Sequence, residues 1–452
     1  MDNLKFLSIC GMLGYGYPLE SLCRGIDEKI DFIGADNGST DPGPYYLGSG
    51  KGFVKNIQLE RDLEPALVEA RKNNIPLIIG SAGGSGAKAH VDNFLKILFK
   101  IAEKNNLHFK LAVIHSDIEK TTALNALAAG KISPCGHSRT LKAEDVNACT
   151  NIVAQMGTEP IIAALKNGAD VVIAGRACDT AIFAALPIMR GFDPGLALHA
   201  AKIAECGAMC SVPVGANDSL IVRMEKDSFT VTPANPEKKC TPETVAAHSL
   251  YEQPNPECFF EPEGKIDMSE SVFEQIDERS VKVSGTKLVP SAKETIKLEG
   301  AAFRGFRSIT IAGMSDPVAM ANLEVIESSV RKAVSENLKD IIASENYTLR
   351  FLKYGINGVR GIADKSLPLL TETGLLIEAI APTQELADTV ISLARSTALH
   401  QSFPGRKATA GNLAFPFSPS DFQGGEVYEF SIYHLMEVED MAEFFPITYK
   451  EL

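Results

Sequence analysis

The chain lacks the sequence features of several large protein classes. It has no window of about 18 apolar residues, the length that a membrane-spanning helix needs. The net charge is −13 and no cluster of lysine and arginine is present, so we expect neither nucleic acid nor a membrane as partner. The amino terminus has no basic segment and no small-residue cleavage site, so we expect a cytoplasmic protein without a secretory signal.

Redox and metal motifs are also absent. The nine cysteines include no CxxC pair, which indicates reduced thiols rather than a disulfide framework. The eight histidines form no HExxH or similar ligand spacing. No dinucleotide fingerprint and no iron–sulfur spacing occur, which argues against an oxidoreductase.

The chain is long enough for two domains with buried cores. It has 452 residues, of which 45% are hydrophobic. Through residues 1–215, short apolar segments alternate with helical patterns, which predicts an α/β domain with a mostly parallel open sheet and helices on both faces. The predicted strands are residues 6–10, 30–35, 76–80, 110–115, 152–155 and 170–174.

A smaller α+β domain is predicted for residues 216–452, where paired extended segments alternate with long helices. Residues 394–421 include a long irregular stretch that contains Arg406 and Asn412, which we predict to bind substrate. Long loops are often functional, so we expect this one to close over the site in the first domain. A surface loop without such a role is the alternative.

The loops after the predicted parallel strands are polar or rich in glycine. Ligands bind at the carboxyl ends of strands in open parallel sheets. The six loops contain GMLGYGYP, DNGSTD, GSAGGSGA, HSDIEK, MGTEP and GRACDT. Six such loops at one predicted edge indicate a ligand site there.

The segment GADNGSTDPGP, residues 34–44, is the richest of these loops in oxygen-bearing side chains. Asp36 and Asp41 could hold Mg²⁺, which prefers oxygen ligands, although their spacing is not that of an EF-hand. Alternatively, one carboxylate acts as a base. In either case Asn37, Ser39 and Thr40 are predicted to bind substrate.

Two further loops have the composition of anion-binding sites. The segment GSAGGSGA precedes a helix, so its backbone N–H groups could hold a phosphate or carboxylate, or it is simply a tight turn. In GRACDT, Arg176 could bind a carboxylate through both ends of its guanidinium group, or it pairs with Asp179. The residues predicted here to bind substrate are Ser81, Gly83, Gly84, Ser85, Arg176 and Asp179.

Two other strand-end residues are candidates for proton transfer. His115 could be a general base, and the alternative is a structural histidine. Glu159 lies at a predicted helix start after Thr158. It could be a catalytic acid, or it could complement the helix dipole while Thr158 caps the helix.

Five segments together resemble the acyclic terpene utilisation protein A (AtuA) family. They are GADNGSTDPGPYYLG, GSAGGSGA, MGTEPIIAAL, GADVVIAGRACDTA and FPGR with GNLAFPFSPSD, and they extend from residue 34 to 421. The resemblance implies a bacterial cytoplasmic protein of catabolism, from gene sets that break down terpenes as CoA thioesters. It supplies no catalytic residues.

The resemblance also implies a partner. Some relatives carry an additional ferredoxin-like domain, and others have it as a separate small protein. Since the sequence ends at Leu452 without it, we expect a separate small ferredoxin-like partner. The exposed edges of the second-domain sheet favour a homo-oligomer.

We expect a lyase of the hydratase or dehydratase type that acts on a small hydroxy-carboxylate or its CoA thioester. This chemistry needs a base, an acid and positive charge for the developing enolate. Asp36, Asp41, His115 and Glu159 are the candidate acids and bases. The alternative is a non-catalytic nucleotide- or CoA-binding subunit of a catabolic enzyme complex, which the glycine-rich loops favour.

Overall fold

The computed structural model describes residues 3–215, 217–362 and 371–452. Its strands are β1 Leu4–Ser8, β2 Phe32–Asp36, β3 Leu77–Gly80, β4 Lys110–Ile114, β5 Ile132–Pro134, β6 Cys149–Gln155, β7 Val171–Ala174, β8 Ser211–Val212, β9 Leu220–Met224, β10 Ser228–Pro233, β11 Lys239–Cys240, β12 Cys258–Glu261, β13 Gly264–Asp267, β14 Val272–Gln275, β15 Val281–Ser284, β16 Lys287–Pro290, β17 Thr295–Met314, β18 Thr348–Tyr354, β19 Thr373–Ala381, β20 Asp421–Glu437 and β21 Ile447–Glu451.

The α-helices are α1 Leu19–Asp27, α2 Pro44–Ser49, α3 Asn56–Lys72, α4 Lys88–Lys104, α5 Lys120–Ala128, α6 Ala143–Ala148, α7 Thr158–Lys166, α8 Asp179–Met189, α9 Pro194–Ala204, α10 Pro242–Ser249, α11 Pro317–Ala321, α12 Leu323–Leu338 and α13 Gln384–His400. Short 3₁₀ turns occur at Gly207–Cys210, Ser344–Asn346 and Met441–Phe444. None of the helices described is long and apolar enough to cross a membrane.

A ten-stranded mixed sheet is the main element, in the order β14-β15-β10-β9-β1-β2-β3-β7-β4-β21. Its five central strands, from β1 to β4, are parallel. Antiparallel strands extend it at both ends, through β9 beside β1 and β21 beside β4. The predicted α/β class is confirmed, and the parallel part brings the carboxyl ends of its strands to one edge.

Apolar residues cover both faces of this sheet because alternate side chains of a strand point to opposite sides. On one face, Phe6 and Phe32 stack at 5.0 Å between ring centroids, and Phe6 lies 5.8 Å from Phe183 of α8. On the other face, Leu7 and Ile33 join a separate apolar cluster that includes residues of α3 and α4. Helices therefore pack on both sides of the parallel strands.

The strand predicted at residues 152–155 lies outside this sheet, contrary to the sequence-based expectation. As β6 it begins earlier, at Cys149, and pairs antiparallel with the first part of β17. An apolar strand of this length carries no signal for its partner, since pairing is decided by long-range packing. The other five predicted strands all lie in the parallel part of the sheet.

The chain forms two compact units, and it passes between them within β17 and within β20. Unit 1 contains residues 1–302 and 430–452, and unit 2 contains residues 303–429. This division differs from the predicted boundary after residue 215. The reason is that β9, β10, β14 and β15 follow that position and still extend the first sheet.

Unit 2 is a small α+β unit. Its part of β17 pairs antiparallel with β19, and β19 pairs with β18. Helices α12 and α13 supply Ile326, Val330, Val390 and Ile391 to its apolar core. The long strand β17 thus contributes its first part to unit 1 and its last part to unit 2.

Gly34 in β2 is required by the close packing of α8. A Cβ atom at this position would lie 2.5 Å from Cε1 of Phe183, well inside van der Waals contact. We predict that Gly34→Ala lowers the free energy of unfolding by about 1–3 kcal/mol through overpacking, measured by urea denaturation.

Two comparisons test this cause. Gly215→Ala should change stability little, because its Cβ would lie 3.6 Å from the flexible end of Lys238. Adding Phe183→Leu to Gly34→Ala should recover part of the loss. Equal stability of Gly34→Ala and the unsubstituted protein would contradict the steric argument.

Candidate functional site

The loops after β1, β2 and β3 are held together by the buried side chain of Asn37. Its Nδ2 donates to the carbonyl of Leu13 at 2.7 Å, and its Oδ1 accepts from the N–H of Gly83 at 2.6 Å. Asn37 is fully buried, so both bonds are protected from water. Asn37, which the sequence predicts to bind substrate, therefore joins three loops at the strand edge.

Glycines allow these loops to approach each other closely. A Cβ on Gly38 would lie 1.8 Å from the carbonyl oxygen of Gly84, and a Cβ on Gly86 would lie 2.1 Å from the backbone nitrogen of Arg176. The N–H of Gly84 donates to the carbonyl of Ser81 at 3.2 Å. The amides of Gly83 and Gly84, which the sequence offered to an anion, are thus bonded to protein atoms.

Arg176 is the central cation of the edge and pairs with Glu299 of β17. Its Nε donates to Oε2 of Glu299 at 2.8 Å, and Nη2 approaches Oε1 at 3.4 Å. Glu299 is fully buried and Arg176 is 4% exposed. The ion-pair partner of Arg176 is therefore Glu299 rather than Asp179, and a role of Arg176 in substrate binding stays a prediction.

Glu299 has two further partners. Nζ of Lys297 lies 3.0 Å from its Oε1, and the hydroxyl of Thr40 donates to the same atom at 3.2 Å. Burial alone would raise the pKa of this carboxyl, but Arg176 and Lys297 outweigh it and lower the pKa to about 2. Thr40, predicted to bind substrate, thus supports this ion cluster, and its role toward a substrate stays a prediction.

Ser81 is bound to the same cation. Nη1 of Arg176 donates to its hydroxyl at 3.2 Å, and the side chain is fully buried. Ser116, which follows β4 and was not predicted, accepts from the backbone N–H of Arg176 at 2.7 Å and donates to the carbonyl of Gly86 at 3.0 Å. The loops after β3, β4 and β7 are therefore connected through Arg176.

Asp36 is the buried carboxyl group at the end of β2. One of its oxygens, Oδ2, accepts from the N–H of Gly38 at 3.2 Å, while Oδ1 has no hydrogen-bond partner among the described residues. Burial and the nearby carboxyl of Asp179 raise its pKa well above the ordinary value, against the opposing effect of Arg176. Asp36 therefore holds its proton more strongly than an exposed aspartate.

Asp179 begins α8 and is half-buried. Its Oδ1 finds no hydrogen-bond partner within the part of the chain that the structure describes. Burial raises its pKa, and Arg176 and Lys202 partly offset this. Asp36 and Asp179 thus form a pair of carboxyl groups beside one arginine, an arrangement in which one group keeps a proton while the other ionises.

Ser85 adds a hydroxyl group at the same edge. Its side chain is fully buried, and its Oγ is without a hydrogen-bond partner in residues 3–215, 217–362 and 371–452. A buried hydroxyl without a partner is costly, and such groups commonly bond to a ligand or water. Asp36, Asp179 and Ser85 are therefore predicted residues with free bonding capacity.

Ser39 and Asp41 lie on the more exposed side of the loop after β2. Asp41 is exposed and accepts from the Ser39 hydroxyl at 2.6 Å, in contrast to the buried Asp36. The described residues include no group of three or more His, Cys, Asp or Glu side chains that could hold a metal ion. A magnesium role for Asp36 and Asp41 stays a prediction, and no step below depends on it.

His115 and Glu159 are the two remaining residues predicted to transfer protons, and both are more exposed than Asp36. His115 is half-buried, and burial raises the pKa of the neighbouring Asp117. Glu159 is exposed in the first turn of α7. The N–H and hydroxyl of Thr158 both donate to Glu263 at 2.7 Å, so Glu263 binds the start of this helix.

A second group of carboxyls surrounds Lys202 of α9. Its Nζ lies 2.5 Å from Oε1 of Glu205, and both side chains are less than 10% exposed. Burial raises the pKa of Glu205 to about 8, despite the opposing effect of Lys202. Burial and the nearby Glu263 raise the pKa of Glu261 to about 7. Sequence reasoning missed this group, since Glu261 in β12 lies far along the chain from Lys202 and Glu205 at the end of α9.

Arg406 and Asn412 belong to unit 2, where both stabilise a loop. The guanidinium of Arg406 donates to the carbonyls of His400 and Ala410, and Nδ2 of Asn412 donates to those of Ala398 and Gln401. Both residues line a cavity of about 520 Å³ in that unit. Their predicted role in substrate binding stays a prediction.

The raised pKa of Glu205 predicts a pH dependence of stability. Its ordinary pKa is 4.5 and the folded value is about 8. Between these values the unfolded chain releases this proton while the folded chain keeps it, so stability falls as pH rises. Glu205→Gln should reduce that fall by an amount on the order of a few kcal/mol.

The measurement is the free energy of unfolding from pH 4.5 to 8 by urea denaturation. Glu103→Gln, at an exposed position of α4, is the matched control and should leave the slope unchanged. An equal slope in Glu205→Gln and the unsubstituted protein would show that Glu205 ionises normally.

The comparisons with known proteins confirm the resemblance. The family model described as acyclic terpene utilisation family protein AtuA matches residues 48–417, which is most of the chain. The matched range includes the loops after β3, β4 and β7 together with Glu299. The chain has no significant match among curated proteins or solved structures.

Proposed function

The chain belongs to the AtuA family, and from that premise we propose that it is a catabolic enzyme of acyclic terpene utilisation, a lyase that adds or removes water. Its substrate is a small hydroxy-carboxylate or the CoA thioester of one. The observation that carries the proposal is the pair of carboxyl groups, Asp36 and Asp179, at one strand edge with unbonded oxygens and raised pKa values.

Dehydration requires two proton transfers. The ionised carboxylate of Asp179 removes the proton next to the substrate carbonyl, and the electron pair of that C–H bond forms the C=C bond. As the C–O bond to the hydroxyl breaks, the protonated carboxyl of Asp36 gives its proton to the leaving oxygen, which departs as water. Hydration is the reverse.

The surroundings of the two groups support this division of roles. Asp36 is more buried, and burial raises its pKa well above the ordinary value, as suits an acid that must carry a proton at neutral pH. Asp179 is half-buried, and Arg176 and Lys202 favour its ionised form, as suits a base. The exposed Asp41 and half-buried Ser39 mark the side from which substrate would enter.

Replacing the acid should separate catalysis from binding. We expect Asp36→Asn to lower the turnover rate by about 10²–10⁴-fold, because the amide cannot donate the proton. Ligand-induced thermal stabilisation should remain, since the amide keeps the shape of the side chain. The assay follows water addition or loss on a panel of hydroxy acids and their CoA thioesters, with and without Mg²⁺.

Asp227→Asn is the control, because Asp227 is exposed in the turn between β9 and β10 and should not affect turnover. Unchanged turnover in Asp36→Asn would contradict the assignment of Asp36 as the acid. Stabilisation by nucleotide or free CoA, with no turnover of any compound, would instead favour a binding subunit of an enzyme complex. The separate small partner and the homo-oligomer stay predictions.

A further inference from the structure

We propose that the strand-edge site accepts an uncharged carbonyl compound rather than a free carboxylate, and that Glu299 sets this preference. The inference rests on the proposed function, because it concerns the substrate of the same site. It narrows the substrate to the uncharged derivatives of hydroxy acids, such as esters, thioesters and amides.

The first argument is that Arg176 has no free donor for a substrate carboxylate. Its guanidinium makes five hydrogen bonds, to Glu299, Ser81, Thr40 and the carbonyl of Ala177. A guanidinium has five N–H donors. The group that the sequence suggests as a carboxylate clamp is therefore already occupied by a carboxylate of the protein itself.

The second argument is the balance of charge. Arg176 and Lys297 are the cations in contact with Glu299, and Asp36 and Asp179 lie close enough to interact with Arg176. The ionised carboxylates of Glu299 and Asp179 already balance these two cations, and Asp36 is a third carboxyl group that keeps its proton. A substrate carboxylate would add a further negative charge in a buried region, where like charges repel strongly.

The third argument is the bonding capacity that remains. The carboxyl of Asp36 and the hydroxyl of Ser85 are both more than nine-tenths buried and carry oxygens that lack partners among the residues described. With its proton, Asp36 is a hydrogen-bond donor, and the hydroxyl of Ser85 is a second donor. Both suit a neutral carbonyl or hydroxyl oxygen and require no counter-charge.

The test compares each acid with an uncharged analogue of the same shape. The probes are 3-hydroxybutyrate and 3-hydroxyoctanoate, each paired with its primary amide, and binding is measured by calorimetry at pH 7.5. We expect the unsubstituted protein to bind at least one amide about 10-fold or more tightly than its acid, which corresponds to about 1.4 kcal/mol.

Glu299→Gln should reverse this preference. The glutamine keeps the size of the side chain but no longer neutralises Arg176, so binding of the acid should strengthen by about 10-fold relative to the amide. Lys297→Met should change the relative binding of acid and amide in the opposite direction. It provides a second test if Glu299→Gln fails to fold. It leaves Glu299 less compensated, so binding of the acid should weaken further while binding of the amide is unchanged.

Each possible outcome supports or contradicts one of the two proposals. Tighter binding of the acids by the unsubstituted protein would overturn this inference but not the proposed function, since a lyase for free hydroxy acids would remain. An unchanged ratio of acid affinity to amide affinity in both variants would contradict the proposed role of Glu299. Binding of no probe to any of the three proteins would count against the edge as a substrate site and thus against both proposals.

Discussion

The buried ion pair between Arg176 and Glu299 is the interaction on which the strand edge depends. It connects the loop after β7 to β17, and through Ser81 and Thr40 it also reaches the loops after β3 and β2. Removing one partner of a buried pair typically costs about 3–5 kcal/mol, because the other charge is left unpaired. The pair therefore explains how four separate segments can hold polar groups in a dry region.

This pair also determines what chemistry the edge can support. Because Glu299 neutralises Arg176, the arginine no longer balances Asp36 and Asp179 fully, and burial raises the pKa of both. Carboxyl groups with raised pKa values are suited to acid–base catalysis near neutral pH. A structural ion pair and two carboxyl groups with raised pKa values are thus two consequences of one buried arrangement.

Much of the architecture could be predicted from local sequence patterns. Five of the six predicted parallel strands are present, since short apolar segments between amphipathic helices are typical of such sheets. The family was also recognised from the segments at these loops. The partner of β6 and the continuation of the first sheet by β9 and β10 were not predictable, because strand pairing depends on contacts far apart in sequence.

The sequence by itself determined that the loops after β1, β2, β3, β4 and β7 would meet at the strand edge, and that Asp36, Ser85 and Arg176 would lie there. The alternation of short apolar segments with amphipathic helices is a local pattern, and it is sufficient for that conclusion. Only the tertiary structure decided which of these groups are bonded and which are free. Glu299 lies 123 residues after Arg176, and its place beside the guanidinium follows from the packing of β17 in unit 1. Burial and charge pairing are properties of the folded chain, and no local pattern encodes them.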